Sequence, residues 1–283
     1  MTDQHIDVAY SEWRSAAIDL GGEIVFAVGD VHGCAGELAA LLRAIGATTT
    51  PPGRRRRLVF LGDMIDRGPD NIGVLKLWAQ SGSAWDVHRI DRLMGNHEQL
   101  LLLAMSDSPH APKAEAMWLS AAMGGEQFLQ EMAALTSGAN PRPGAALFKA
   151  ALGDDIFHLF TTMSSHVWVG NALFVHAGLD PHAEPEEFLA RPWTAFTEAQ
   201  WAWVHGAFLE WRGGFGGRVV VHGHTPPHKH RELTGQADPH LLAFDRLGLD
   251  GGTTRTGIVT GAQIEDRRYR ILRAGSLASE HGG

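Results

Sequence analysis

The sequence predicts an α/β fold, because short apolar strands alternate with helices and run into glycine-bounded polar loops. Residues 24–28 are entirely apolar and predict the first strand, and leucine and isoleucine then recur at helical spacing over residues 38–45. A second apolar strand at residues 58–61 completes a strand–loop–helix–strand unit. With 283 residues, 44% of them hydrophobic, the chain can bury the core of one large domain.

The same unit is repeated along the chain. Residues 62–69 predict a polar loop, apolar positions within residues 72–78 predict a second helix, and a third strand runs toward Met94. The arginines at 54–57 are predicted to form a solvated loop between helix and strand. Further strands are predicted at residues 167–169, 173–175, 219–221, 242–245, 257–260 and 269–272.

The chain is predicted to consist of an N-terminal arm, one main domain and a short tail. Residues 1–22 are mixed in character and predict an arm or a covering helix, residues 23–275 form the domain, and residues 276–283 form a flexible tail. Within the domain, residues 106–154 are rich in alanine and predict a helical insertion or lid, interrupted by glycine-rich and proline-rich stretches.

The composition argues against several classes of partner. The chain has 24 Lys and Arg against 32 Asp and Glu, and the formal net charge of -8 disfavours general attraction to nucleic acid or to an anionic membrane. No apolar run approaches the roughly 20 residues of a membrane-spanning helix. With one cysteine and no secretory pattern at the start, a cytoplasmic location is predicted. Any anionic substrate is then held by local charges, and the oligomeric state is left open.

Side chains that can bind metal ions follow the predicted strands at the point where each strand ends. Because ligands gather at the carboxyl ends of strands in open α/β folds, these side chains are expected to meet. A mixture of carboxylate, imidazole and amide groups suits Mn, Fe or Zn better than Ca or Mg, which prefer oxygen ligands alone. The candidate residues are Asp30, His32, Asp63, Asn96, His97, His176, His222 and His224.

Three loops carry a resemblance to a known family. Their sequences are Gly29-Asp-Val-His-Gly33, Gly62-Asp-Met-Ile-Asp-Arg-Gly68 and Gly95-Asn-His-Glu98. Together with His176 and Gly223-His-Thr225, these loops follow one another in the same order as the motifs of the calcineurin-like metallophosphoesterase superfamily, which they resemble. The resemblance is specifically to the bacterial phosphoprotein phosphatase (serine/threonine-protein phosphatase) branch. The resemblance runs from about residue 24 to residue 260 and implies a four-layer α/β/β/α sandwich with a helical insertion.

The resemblance also implies a centre of two divalent metal ions, with Mn expected and Fe or Zn as alternatives. Asp63 would bridge the two ions. The wider superfamily uses both histidines of a Gly-His-x-His segment as ligands, whereas the phosphoprotein branch uses the histidine of Gly-His-Thr, which favours His224 over His222 here. The implied ligands are Asp30, His32 and Asp63 for the first ion, and Asp63, Asn96, His176 and His224 for the second.

Catalytic roles follow from the same resemblance. Asp66 would orient His97, His97 would protonate the leaving oxygen, and Arg67 would hold the phosphoryl oxygens together with Asn96. The implied reaction is hydrolysis of phosphomonoesters, with phosphoserine or phosphothreonine in proteins as the substrate. The attacking group would be a hydroxide activated between the two ions.

The chain departs from the family at two positions that usually hold arginine. Met94 precedes the third motif, and His205 lies in a Trp-rich segment where the family arginine contacts phosphate. His205 is therefore a candidate phosphate-binding residue, with Arg212 as an alternative. Cys34 does not predict a thiol phosphatase, because such an enzyme needs an arginine six positions after the cysteine and this chain has Ala40 there. Cys34 is therefore predicted to pack in the interior.

Two other functions remain open. A symmetrical diadenosine tetraphosphatase shares several motifs with this chain, but that family usually lacks the acid found here at Asp66 and differs at Glu98 and Thr225. An inactive phosphatase-like scaffold would bind partners without catalysis. The complete set of predicted ligands and acids argues against this second alternative.

Overall fold

The computed structural model describes residues 6–136 and 141–275. The predicted tail at residues 276–283, the first five residues of the predicted arm and part of the proline-rich stretch at 137–140 lie outside the described residues. Described elements alternate between short strands and helices along the chain, as the sequence predicts.

Two sheets form the centre of the fold. The larger sheet has the order β1-β11-β10-β3-β4-β5, with β2 also pairing with β11, and β3, β4 and β5 are parallel in it. The smaller sheet has the order β6-β7-β8-β9, with β7, β8 and β9 parallel. The strands are β1 (Asp7–Tyr10), β2 (Arg14–Ser15), β3 (Ile24–Val28), β4 (Arg56–Phe60), β5 (Arg89–Arg92), β6 (His166–Val169), β7 (Ala172–Val175), β8 (Val219–His222), β9 (Arg246–Gly248), β10 (Ile258–Glu265) and β11 (Arg268–Gly275).

Helices occupy most of the connections between these strands. Four of them, α4 to α7, follow one another between β5 and β6 and account for the helical character predicted for residues 106–154. The helices are α1 (Ala35–Ala47), α2 (Asn71–Trp78), α3 (Asn96–Ala104), α4 (Ala111–Trp118), α5 (Gly125–Thr136), α6 (Ala145–Leu152), α7 (Asp154–Thr161), α8 (Pro185–Leu189), α9 (Gly206–Glu210), α10 (Pro227–Thr234) and α11 (Thr253–Thr256), with a 3-10 turn at Gly82–Trp85.

The core is divided by the two sheets. Alternate residues of β3 point to opposite faces, so Val25 and Ala27 belong to one apolar cluster and Phe26 to another. The first cluster also contains Phe174 and Val221 of the smaller sheet, which places it between the sheets. The second cluster joins Phe26 to buried residues of α1, α2 and α3, which therefore cover the outer face of the larger sheet.

The outer face of the smaller sheet is covered in the same way. Leu173 and Val220 alternate with the inward residues of their strands and belong to the same second cluster as Phe26, which also includes Phe188 of α8 and Phe208 of α9. Each buried residue of this size contributes about 1.5 to 3 kcal/mol of hydrophobic stabilisation. Helices therefore lie outside both sheets, and the predicted four-layer α/β/β/α sandwich is confirmed.

Two local predictions need correction. Of the two alternatives predicted for residues 1–22, an arm or a covering helix, the helix is not formed by the described residues, because residues 7–10 pair antiparallel with β11 as an edge strand. The strand predicted at residues 242–245 is also absent, since Phe244 and Asp245 have φ values of 49° and 61°, in the left-handed region that ends a strand. The strand begins instead at Arg246.

Only the first half of the arginine run lies in the predicted solvated loop, where Arg54 is half-buried and Arg55 is exposed. Arg56 and Arg57 belong to β4 and are 4% and 8% exposed. Arg56 lies 2.6 Å from a carboxylate oxygen of Asp86 and places its guanidinium 5.1 Å from the ring centroid of Phe26. Burial of this charge is tolerated because an ion pair and an aromatic face satisfy it.

Stability is expected to fall on acidification because of a buried histidine in the loop before β9. His240 is 4% exposed, its Nδ1 lies 2.7 Å from the carbonyl oxygen of Gly248, and burial lowers its pKa from 6.5 to about 4. Between these two pKa values the unfolded chain binds a proton that the folded chain does not, so the free energy of unfolding decreases as the pH falls through this window.

Thermal unfolding measured from about pH 7 to about pH 4 tests this expectation. The melting temperature should fall with pH, and the fall should be shallower in His240→Gln, whose side-chain N–H can still donate to the Gly248 carbonyl. An unchanged pH dependence in the variant would show that His240 titrates alike in both states.

Candidate metal centre

The candidate site lies where the parallel strands of both sheets end. Asp30 follows β3, Asp63 follows β4, and Asn96 opens α3 just after β5. His176 directly follows β7, and His224 follows β8. Four of these five side chains are buried, at 1%, 2%, 3% and 0% exposure for Asp30, Asp63, Asn96 and His176. The structure thus brings together side chains that lie almost 200 positions apart in the sequence.

The backbone of these loops is held in an uncommon conformation. Non-glycine residues rarely have positive φ, and each such residue costs roughly 1 to 3 kcal/mol where the conformation is sparsely populated. Gly62 has φ 107°, and a Cβ atom there would lie 2.4 Å from the backbone nitrogen of Gly95, so the second and third motifs can approach only through a glycine. The strained site residues are His32 (46°), Asp63 (53°), Asp66 (74°), Arg67 (68°) and His224 (66°).

Asp63 lies between two groups of possible metal ligands. Its Oδ2 is 3.7 Å from Nε2 of His32, and its Oδ1 is 3.3 Å from Nε2 of His176. Oδ1 of Asn96 lies 3.2 Å from Nε2 of His176 and 3.0 Å from Nδ1 of His224. One carboxylate oxygen therefore faces each group, as a bridging ligand requires.

The ligand atoms in each group are close enough to share an ion. In one group, atoms of His32, Asp63 and His97 lie within 4.8 Å of one another, and in the other so do atoms of Asp63, His176 and His224. Oδ2 of Asp30 lies 4.0 Å from Nε2 of His32, beside the first group. This set of buried carboxylate, imidazole and amide donors fits two divalent ions of the Mn, Fe or Zn type.

The charge state of Asp63 suits a metal ligand. Burial alone raises the pKa of this carboxyl group, but His176, His97 and His32 around it together hold its pKa well below the ordinary value. Burial lowers the pKa of His224 to about 3, so its imidazole is neutral and can coordinate an ion. Asp63 is therefore a carboxylate at neutral pH.

His97 is held by a buried hydrogen-bond network. Nδ1 of His97 lies 2.7 Å from Oδ2 of Asp66, and the indole Nε1 of Trp118 donates to the same oxygen at 2.8 Å. Burial raises the pKa of Asp66 well above its ordinary value and lowers the pKa of His97 well below its own. The short bond between Asp66 and Nδ1 fixes the ring of His97 so that its Nε2 faces Asp63 at 3.9 Å.

Arg67 extends over the first ligand group. Its Nη1 lies 2.9 Å from Nε2 of His32, and its Nη2 donates to the carbonyl oxygen of Ala122 at 3.1 Å. The backbone N–H of Arg67 donates to Gly124 at 3.3 Å. An exposed guanidinium is thus positioned beside the candidate metal ligands by the segment between α4 and α5.

The residues considered as substitutes for the missing arginines lie in different places. His205 is exposed, and its ring centroid is 6.0 Å from that of His224, so it stands at the edge of the site. Arg212 instead donates to the carbonyl oxygens of Leu209 and Thr234 and stacks on Phe244, away from the ligands.

The position of His222 separates it from His224. His222 is fully buried, with Nδ1 3.0 Å from the carbonyl oxygen of Gly223 and its ring against Phe208. Among the described residues it belongs to neither ligand group, and its Nε2 has no hydrogen-bond partner. The geometry thus favours His224, as the sequence resemblance implies.

Several functional contacts were not anticipated from the sequence. Glu98 served there only as a family marker, but its carboxylate accepts hydrogen bonds from the backbone N–H groups of Asp63 (2.9 Å), Met64 (2.7 Å) and Gly95 (2.9 Å), which joins the second motif to the third. Burial raises the pKa of Glu98 to about 7. The contact of Trp118 with Asp66 likewise has no counterpart in the sequence motifs.

Asp250 was missed because the strand before it was placed too early. It follows β9, is 5% exposed and lines the same cavity as His32 and His224. A strand end followed by Asp-Gly-Gly was the signal that could have revealed it.

Cys34 is half-buried and packs against the core, as predicted. Burial raises the pKa of its thiol to about 11, so the thiol is protonated at neutral pH and is a poor nucleophile. Within residues 6–136 and 141–275, no helix is both long and apolar enough to cross a membrane.

Curated relatives resemble part of the chain. Serine/threonine-protein phosphatase 1 of Salmonella typhimurium is 38% identical over 84 residues, which cover 30% of this chain and 34% of that protein. The symmetrical bis(5'-nucleosyl)-tetraphosphatase of Nitrosomonas europaea is 34% identical over 83 residues, which cover 29% of this chain and 28% of that protein. Each alignment thus spans about a third of the relative's length or less.

Structural comparison extends over more of the chain. A cold-active protein-tyrosine phosphatase of a psychrophilic Shewanella species superposes with a TM-score of 0.58 at 17% identity, covering 88% of this chain and 77% of that one, which is a likeness of fold alone. The family model described as calcineurin-like phosphoesterase matches residues 25–251, a range that contains all the predicted metal ligands. The chain therefore belongs to the calcineurin-like phosphoesterase family.

Proposed function

We propose that this protein hydrolyses phosphomonoesters, with phosphoserine or phosphothreonine in proteins as its substrate. The observation that carries the proposal is the position of Asp63, with one carboxylate oxygen toward each of two groups of metal ligands and His97 beside it. Family membership supports phosphoester hydrolysis. The printed name of the Salmonella relative supports a protein substrate, whereas that of the Nitrosomonas relative supports diadenosine tetraphosphate as the alternative.

The metal centre is proposed to hold two divalent ions, with Mn as the physiological metal. When bound, the two ions would lower the pKa of a water molecule and offset charge on the phosphoryl group. Asp63 is proposed as the ligand common to both ions. The proposed ligands are Asp30, His32 and Asp63 for the first ion and Asp63, Asn96, His176 and His224 for the second.

The chain's own residues bind the substrate and move a proton. Arg67 is proposed to donate to the phosphoryl oxygens, together with the amide of Asn96, while His205 lies at the edge where it can approach the same group. His97 is proposed to give a proton from Nε2 to the leaving oxygen while its Nδ1 takes up the proton of the short bond with Asp66, and water then returns a proton to the Asp66–His97 pair. Trp118 keeps Asp66 in place for this transfer.

A comparison of substrates tests the proposal. Purified protein is freed of metal with a chelator, reloaded with Mn, Fe or Zn, and assayed by kcat/KM on a phosphoserine peptide, diadenosine tetraphosphate and an aryl phosphate. We expect no activity without metal, activity restored by Mn, and a preference for the phosphopeptide. Preference for the tetraphosphate would identify the alternative enzyme, and inactivity with every metal and substrate would indicate the scaffold.

A further inference from the structure

A cavity of about 260 Å³ adjoins the metal centre. One wall consists of His32, Arg67 and His224, which belong to the centre itself. Much of the remaining lining comes from α10 and α11 and includes His228, Thr254 and Arg255. Substrate atoms next to a phosphoryl group at the metal centre would therefore face residues to which the family resemblance assigns no role.

Arg255 presents an unengaged charge to this cavity. Its side chain is exposed, and it makes no hydrogen bond or ion pair with any residue that the structure describes. Asp250, the acid of the same cavity, is buried at 5% exposure and accepts a hydrogen bond from the backbone N–H of Gly252 at 2.7 Å. The guanidinium is therefore available to a ligand.

The segment carrying Arg255 is fixed to the metal-binding loop. The hydroxyl of Thr253 donates to the carbonyl oxygen of Asp30 at 2.8 Å. Gly252 and Gly257, with φ values of 65° and 66°, bound the short helix α11 on both sides. Arg255 thus stands on a turn whose distance from the metal ligands is set by a buried hydrogen bond.

We propose that Arg255, together with His228, binds a second anionic group of the substrate, adjacent to the phosphate that is cleaved. A guanidinium pairs in a bidentate manner with either a carboxylate or a phosphate. The second anion is therefore the carboxylate of an acidic residue beside the phosphoresidue or the neighbouring phosphate of a phosphoanhydride. The proposal rests on the proposed function for cleavage.

Matched substrates test this subsite. The Mn-loaded wild type, Arg255→Ala and Arg255→Lys are assayed on two phosphoserine peptides that differ only by Asp or Ala after the phosphoserine, on diadenosine tetraphosphate and on an aryl phosphate. We expect Arg255→Ala to raise KM about tenfold for substrates with the second anion, with little change in kcat and none on the aryl phosphate. Arg255→Lys should recover part of the loss. Arg231→Ala, which removes a charge from exposed α10 outside the cavity, is the matched control and should change nothing.

A binding measurement separates this proposal from the proposed function. Calorimetry with inorganic pyrophosphate and inorganic phosphate on the Mn-loaded protein needs no turnover, and Arg255→Ala should weaken pyrophosphate binding about tenfold while phosphate binding stays unchanged. Loss confined to the Asp peptide assigns the second anion to a carboxylate, and loss confined to the tetraphosphate and pyrophosphate assigns it to a phosphate. Equal losses on every ligand, or no loss on any, would overturn the proposal. Wild-type inactivity on all substrates would instead count against the proposed function.

Discussion

Asp63→Asn is expected to reduce kcat by at least about a thousandfold and to lower the metal content of the purified protein. The substitution removes the negative charge that faces both ligand groups, at 3.7 Å from His32 and 3.3 Å from His176. The fold should survive, because asparagine tolerates the left-handed conformation of this position, where φ is 53°. Its amide oxygen can also still accept the backbone N–H of His97.

Asp86→Asn provides the matched control for this variant. Asp86 is also an aspartate in the left-handed conformation, with φ 50°, but it lies in a surface turn and pairs with Arg56 outside the site. Activity and metal content should be unchanged in the control. The measurements are turnover of an aryl phosphate, metal analysis after dialysis, and circular dichroism. Normal turnover by Asp63→Asn with a normal metal content would remove the basis of the two-metal proposal.

The loops that carry the candidate metal ligands could be located from sequence because each is encoded locally. Strand, glycine and ligand follow one another within a few residues in the loops of Asp30, Asp63 and Asn96, and parallel strands necessarily end at the same edge of a sheet. The match of the family model confirms the resemblance that these loops carry. Local order, however, does not specify which distant side chains complete the site.

The contacts of the helical region illustrate this limit. Trp118 reaches Asp66 across 52 positions, and Glu131 accepts hydrogen bonds from the backbone N–H and side-chain amide of Asn71, at 2.7 and 2.6 Å. Neither contact leaves a pattern in the spacing of residues, because both depend on how α4 and α5 pack against the second motif loop. These helices therefore position the second motif loop, whereas a lid motion for residues 106–154 stays a prediction.

Charged residues in strands were equally hard to predict. Four consecutive arginines are typical of a solvated loop, yet Arg57 lies in β4 with Glu23 at 2.8 Å and Asp91 at 3.1 Å from its guanidinium. Those acids come from segments 34 residues away in either direction. Pairing across strands, which the local sequence does not reveal, makes burial of the charge possible.

His97→Ala is expected to separate substrates by their leaving groups. An alkyl oxygen leaves poorly without a proton, so hydrolysis of a phosphoserine peptide should slow by about a hundredfold to ten-thousandfold. An activated aryl phosphate, whose leaving oxygen needs little protonation, should lose much less. Because His97 lies within 4.8 Å of the other atoms of the first ligand group, metal content must be measured in the same samples.

Trp118→Phe tests whether the orientation of His97 matters as well as its presence. The variant keeps an aromatic ring in the core but removes the indole N–H that donates to Asp66 at 2.8 Å, so Asp66 is held less firmly. The loss of activity should follow the same order of substrates as in His97→Ala, with a smaller magnitude and an altered pH profile of kcat.

Rescue of His97→Ala by added imidazole would support proton transfer. Equal losses on alkyl and aryl phosphates, with both ions retained, would reject His97 as the acid and leave it a structural role beside Asp63.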